Sequence, residues 1–151
     1  MQRALRIADI FSRSGIPCQG VPDLKKARWE KLIWNIPFNG TCALLQKPVN
    51  ALLGHRRTRQ LIREIMLELI GAANAQDLST PIPGGYAEEM LEFTDAMGPY
   101  KPSMQIDREE GRELELEAIF AKPLAAASSK GVAMVRVDQL YTLLEEATAE
   151  S

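Results

Sequence analysis

Trp29-Glu30-Lys31-Leu32-Ile33-Trp34-Asn35-Ile36-Pro37-Phe38-Asn39 is an apolar run in which Lys31, Asn35 and Asn39 recur at every fourth place. On a helix, residues four apart stack along one face. The spacing therefore lines up an amine and two amides on one stripe, with Trp29, Trp34, Leu32, Ile33, Ile36 and Phe38 around it. Polar groups in such a setting are costly to bury unless something bonds to them, and a substrate is one such partner. A Lys held between the two tryptophans loses hydration, which favours its neutral form and suits proton donation. The plainer reading stays open beside it: Lys31 extends to solvent, and the asparagines cap or kink the helix near Pro37.

Upstream of this run, Asp23 is placed to cap the helix that contains it. Residues 3–14 form an earlier helix with Ala4, Leu5, Ala8 and Phe11 on one face. Ser14-Gly15 and Pro17 stop it, and 17–22 is an extended connection. That first helix has no visible partner before it, as if an upstream element were missing. Downstream, Pro37 lacks the donor for the Ile33 carbonyl, so the helix should kink or break there. Asn39-Gly40 suits the break, Thr41 to Leu45 resumes the helix, and Pro48 interrupts again.

The clearest periodicity lies in 58–75, where Ile62, Ile65, Met66, Leu69, Ile70 and Ala73 repeat at three and four. Residues 77–85 are a loop and Tyr86 to Met97 a further helix. Ser103, with acids just downstream, reads from its residue type as a helix N-cap. Glu113-Leu114-Glu115-Leu116-Glu117 alternates like a strand, but no second strand exists to pair with it, so it is assigned to a helix running through Phe120. Pro123 should kink that helix. Asp138 is expected to cap the last one, with Leu140, Leu143 and Leu144 facing inward, and 148–151 should fray. The sum is an all-α, compact multi-helix domain of six or seven helices over residues 1–151.

Composition narrows the function. The chain of 151 residues carries a net charge of −2, with acids and bases dispersed. That balance gives no electrostatic case for nucleic acid or an anionic membrane. The basic cluster His55-Arg56-Arg57-Thr58-Arg59 is short and reads as a solvated helix start. No apolar run is long enough to span a bilayer, and charges interrupt the N-terminus where a signal peptide would be apolar. Cys18, Cys42 and the lone His55 make neither a disulfide framework nor a metal site. A cytoplasmic, reduced, metal-free protein is expected.

Two blocks together carry a family resemblance. Lys31 to Asn39 is one; Lys101-Pro102-Ser103-Met104-Gln105-Ile106-Asp107 with Gly111-Arg112-Glu113-Leu114-Glu115 is the other. Jointly they resemble the C-terminal, substrate-binding half of ketopantoate reductase (2-dehydropantoate 2-reductase), whose helical domain is of the 6-phosphogluconate-dehydrogenase-like type. The resemblance implies an NADPH-dependent oxidoreductase of pantothenate biosynthesis, reducing the keto group of ketopantoate or a related 2-keto acid. It implies that Lys31 is the general acid, that Asn35 and Asn39 orient the substrate, and that Ser103 holds the carboxylate end. Glu115 would close the site near the substrate hydroxyl and the cofactor, with both a catalytic and a cofactor-binding role. Neutral donors can hold an anionic end while an ammonium protonates a carbonyl oxygen. Two positions depart from the family pattern: Val49 and Tyr100 stand where the family usually has asparagines, with Asn50 one place out of register.

The family's other half is a Rossmann domain with a glycine-rich phosphate turn. No G-x-G-x-x-G occurs among the ten glycines of this chain. The resemblance therefore implies that NADPH is bound mainly by a domain absent from this chain, which is the C-terminal half alone and should show no reductase activity by itself. A homodimer is expected alongside, and in the competing reading without chemistry the long apolar helix at 58–75 would form it. The competing readings are a helical dimerisation module without chemistry and a small-molecule-binding module.

Overall fold

The computed structural model describes residues 2–149, apart from the side chain of Ala4. The fraying expected of 150–151 and the placing of the Ala4 side chain lie outside the described residues. The elements are α1 (Gln2–Arg13), α2 (Leu24–Leu45), α3 (Val49–Leu53), α4 (Arg56–Asn74), α5 (Tyr86–Asp95), α6 (Ser103–Glu109), a π-helical turn (Glu117–Ala121), α7 (Lys122–Ser128) and α8 (Val135–Ala149). Among the described residues there is no strand, so the all-α expectation holds.

The organising element is α2. Its N-cap is Asp23, whose carboxylate accepts the Lys26 N–H at 2.9 Å. The same carboxylate takes the Ser79 N–H at 2.8 Å, tying the 77–85 loop to the start of α2. These two backbone donors pull the Asp23 pKa down to about 2. The helix packs against α4, α6 and α8. Contrary to the sequence expectation, it does not break at Pro37 or at Asn39-Gly40 but continues to Leu45. A proline removes one donor from the ladder, and here the buried packing of residues 36–43 outweighs that loss. The Thr41 hydroxyl bonds the Pro37 carbonyl.

Gly40 has a packing role rather than a breaking one. A Cβ there would lie 2.7 Å from Leu140 Cδ2 and 2.9 Å from Phe120 Cζ. The missing side chain lets α8 and the π-helical turn approach the α2 backbone.

α4 buries the residues its periodicity selects, Ile62, Ile65, Met66, Leu69, Ile70 and Ala73. His55 caps it, accepting the Thr58 N–H, so the basic cluster is a helix start as expected. The apolar face of α4 is thereby spent inside the chain, and Leu61 is its exposed large apolar residue. By contrast, α1 buries Ala8 but leaves Leu5, Ile7, Ile10 and Phe11 open.

Five further expectations need correction. Ser103 is the first residue of α6, not its cap; Pro102 holds that place with extended backbone. Residues 112–115 are not helical, and helix resumes at Leu116. Asp138 lies within the first turn of α8, its N–H already donating to the Met134 carbonyl at 3.0 Å. The cap comes instead from α4, where the Glu68 carboxylate accepts the Arg136 N–H at 2.9 Å and the Val137 N–H at 3.3 Å. Leu143 faces out at 55% exposure, while Leu140 and Leu144 are buried. Thr148 and Ala149 remain helical rather than frayed, with the Thr148 hydroxyl donating to the Leu144 carbonyl at 2.8 Å.

Candidate functional site

The unbroken α2 keeps Lys31, Asn35 and Asn39 on one face, one turn apart. They differ in depth. Lys31 is exposed, Asn35 half-buried and Asn39 buried at 3% exposure. The Lys31 ammonium has no hydrogen-bond partner among the described residues; of the two readings left open by the sequence, extension to solvent holds and enclosure by Trp29 and Trp34 does not. Trp29 is buried in the core. Trp34 turns its indole N–H to the Thr94 hydroxyl at 2.9 Å. Thr94 in turn donates to the Met90 carbonyl at 2.6 Å, so a buried polar pair fixes the indole.

Asn39 is the best-defined member. Its Oδ1 accepts the Met104 N–H at 3.1 Å and lies 3.5 Å from the Ser103 hydroxyl. A backbone N–H can only donate, so the amide has one orientation: oxygen toward α6, nitrogen away from it. The Asn39 Nδ2 has no partner among the described residues, yet it is not sealed in the interior. The site thus offers a preset hydrogen-bond donor on a buried side chain, directed by the fold rather than by solvent.

The N-terminus of α6 is held against α2 by this contact, and the other end is held by Arg108. Its guanidinium donates to the Ala43 carbonyl at 2.6 Å, the Leu44 carbonyl at 2.9 Å and the Ala147 carbonyl at 3.3 Å. These are carbonyls of the last turns of α2 and α8, which lack helical donors and carry partial negative charge. Between the two anchors, Lys101 and Gln105 both donate to Glu109. The Lys101 ammonium first, and then the Gln105 amide, hold the Glu109 carboxyl below its usual range. Ser103 is therefore carried by a short helix pinned at both ends. Arg108 gave no signal in the sequence. Thr94 did, as a hydroxyl at an apolar helical position.

Glu115 sits apart. It is exposed on the non-helical 112–115 segment and lines an open concavity of about 830 Å³ with Arg108, Arg112, Leu114, Glu117 and Lys122. None of Lys31, Asn35, Asn39 or Ser103 lines that concavity. The structure thus brings Asn39 and Ser103 into contact, keeps Asn35 and Lys31 on the same face, and leaves Glu115 on a separate surface. Cys42 lies near Asn39 in sequence, but burial pushes its thiol up to about 12, which keeps it un-ionised at neutral pH. Among the described residues no group of His, Cys, Asp and Glu is arranged to hold a metal ion.

Comparison with known proteins gives the family. The family model described as ketopantoate reductase PanE/ApbA C terminal matches residues 23–148. A 2-dehydropantoate 2-reductase of Nostoc sp. (strain PCC 7120 / SAG 25.82 / UTEX 2576) is 37% identical over 143 residues, which is 95% of this chain and 44% of that protein. The crystal structure of 2-dehydropantoate 2-reductase from Geobacter metallireducens GS-15 superposes with a TM-score of 0.96 at 59% identity, over 98% of this chain and 49% of that one. The Methylococcus capsulatus enzyme of the same name gives 0.90 at 28% identity, over 99% of this chain and 47% of that one. The chain spans less than half the length of the curated relatives it matches. Its helical architecture, its paired sequence blocks and a match across most of its length agree, and the chain belongs to the ketopantoate reductase PanE/ApbA C-terminal family.

Proposed function

We propose that this chain supplies the substrate-holding half of an NADPH-dependent 2-keto-acid reductase, acting on ketopantoate or a related 2-keto acid in the cytoplasm. The observation that carries the reading is Asn39, a buried amide whose Nδ2 is left as a fixed donor by the Met104 N–H on its oxygen. A donor set in advance suits an acceptor-rich ligand, because no reorganisation is needed when the ligand arrives. Asn39 and Asn35 orient the keto acid, the Ser103 hydroxyl holds its carboxylate end, and the Lys31 ammonium gives a proton to the carbonyl oxygen. Glu115 approaches from the 112–115 segment when the site is closed, facing the cofactor.

The described residues do not by themselves fit a dinucleotide. They contain no strand leading into a glycine-rich turn, and the concavity at Glu115 is open. NADPH is accordingly assigned to a nucleotide-binding half. The exposed apolar side of α1, with Leu5, Ile10 and Phe11, is the surface assigned to that half. A homodimer would use a face other than the apolar side of α4, which the core already covers.

The test replaces Lys31 by Ala in a protein in which this chain is joined to its nucleotide-binding half, with ketopantoate as substrate and NADPH absorbance as readout. Turnover should fall by about two to four orders of magnitude with little change in substrate binding, as for loss of a general acid. Unchanged turnover would remove Lys31 from the chemistry. Steady turnover by the 151-residue chain alone would refute the division between two halves.

A further inference from the structure

The polar stripe has a carbon edge. At 100° per residue, Trp34 and Phe38 fall on the same side of α2 as Lys31, Asn35 and Asn39. The Trp34 and Phe38 rings are 5.1 Å apart. Tyr100 completes the edge, its ring 6.2 Å from that of Trp34 and tilted by 57°. The segment from Tyr100 to Met104 therefore crosses this face of α2, with Tyr100 at Trp34 and Ser103 and Met104 at Asn39.

Tyr100 is 43% exposed, yet its backbone is held on both sides. Its N–H donates to the Gly98 carbonyl at 2.8 Å, and its carbonyl accepts the Val49 N–H at 3.0 Å. Val49 is fully buried, so the strut beneath Tyr100 is rigid. The polar atom of Trp34 is spent on Thr94. The neighbouring charge, Lys101, is spent on Glu109. Trp34 and Tyr100 thus present ring carbon and one phenolic hydroxyl beside the polar stripe.

We infer that the site selects a 2-keto acid whose side chain is plain hydrocarbon, aromatic or branched aliphatic, with Trp34 and Tyr100 forming the surface that receives it. The inference rests on the proposed function and adds the substrate class. A hydroxylated side chain would lose hydration at this edge and recover at most the phenolic hydroxyl. A hydrocarbon side chain gains ring contact on a surface fixed beforehand.

The experiment titrates the 15N-labelled chain with phenylpyruvate, ketopantoate and 2-oxobutyrate, following the Trp34 indole and Asn39 side-chain amide resonances. Phenylpyruvate should shift both resonances and bind about tenfold more tightly than ketopantoate, a typical discrimination for an apolar contact. Tyr100→Phe should keep that preference, and Tyr100→Ser should reduce it to about twofold or less, chiefly by weakening phenylpyruvate binding. Equal affinities, a preference for ketopantoate, or a preference untouched by Tyr100→Ser would overturn the inference while leaving the keto-acid reading standing. Failure of all three acids to shift the Asn39 amide would overturn both.

Discussion

Replacing Gly40 by Ala tests how closely the site helix is approached from behind. Two effects oppose each other. Alanine is favoured over glycine inside a helix by about 1 kcal/mol, through backbone entropy. The new methyl, however, would stand 2.7 Å from Leu140 Cδ2, 3.1 Å from Leu140 Cγ and 2.9 Å from Phe120 Cζ. Phe120 is fully buried and stacked on Tyr141 with ring centroids 5.9 Å apart, so it has little room to yield. Overpacking of this kind costs about 1–3 kcal/mol. The net effect is a loss between about 0 and 2 kcal/mol. Gly71 on α4 is the internal control, because a Cβ there meets nothing within 4 Å. Gly71→Ala should therefore stabilise by up to about 1 kcal/mol. The two variants should differ by about 1–3 kcal/mol, or several degrees in midpoint at about 2–4 °C per kcal/mol for a domain of this size. Urea and thermal unfolding of the three proteins side by side measure this. If Gly40→Ala is stabilised as much as Gly71→Ala, the helices are not in the contact described, and the account of α2 packing fails.

Other expectations follow from the same contacts. Arg108→Met removes charged donors from the last carbonyls of α2 and α8 and should cost about 1.5–3 kcal/mol; amide exchange at Met104 should quicken more than at residues of α4, and uniform quickening would argue against an anchor specific to α6. Thr94→Val leaves the Trp34 indole N–H without its acceptor and should destabilise by about 1–3 kcal/mol, with a change in Trp34 fluorescence as the second readout. Asp23 has a depressed pKa, so its contribution to stability is present above the ordinary carboxylate value near 3.8 and is lost as pH falls through about 2. The Ser79 and Lys26 amide resonances should titrate with that low midpoint, and a midpoint near 4 would show that the cap is not formed. Cys42, buried and raised to about 12, should resist a thiol reagent at pH 8 until the chain unfolds, whereas the half-buried Cys18 labels in the native state; rapid labelling of Cys42 would contradict its burial.

What could be read before the structure was whatever depended on local chemistry. Asp23 capped as its type and position implied, and the period of α4 chose its buried residues correctly. Where a remote group intervened, the reading failed. Asp138 looked like a cap because nothing in its own stretch disclosed that Glu68, far earlier in the chain, already held the first amides of α8. Pro37 and Gly40 looked like breakers because the packing of α8 and the π-helical turn against that side of α2 is not a property of those residues. The candidate site divides in the same way. The common face of Lys31, Asn35 and Asn39 followed from spacing. The orientation of the Asn39 amide depended on a backbone N–H contributed by α6. The loop carrying Glu115 was beyond the reach of periodicity because 112–115 has no repeating structure.

The grip of Arg108 gives the far end of the chain a stake in the ligand face. Because one guanidinium holds the Ala147 carbonyl together with those of Ala43 and Leu44, a cut or a bulky tag that unwinds the final turn of α8 would loosen the seat of α6. Engineering at the C-terminus is therefore not remote from Ser103. An affinity handle is better placed after a spacer that leaves this last turn wound.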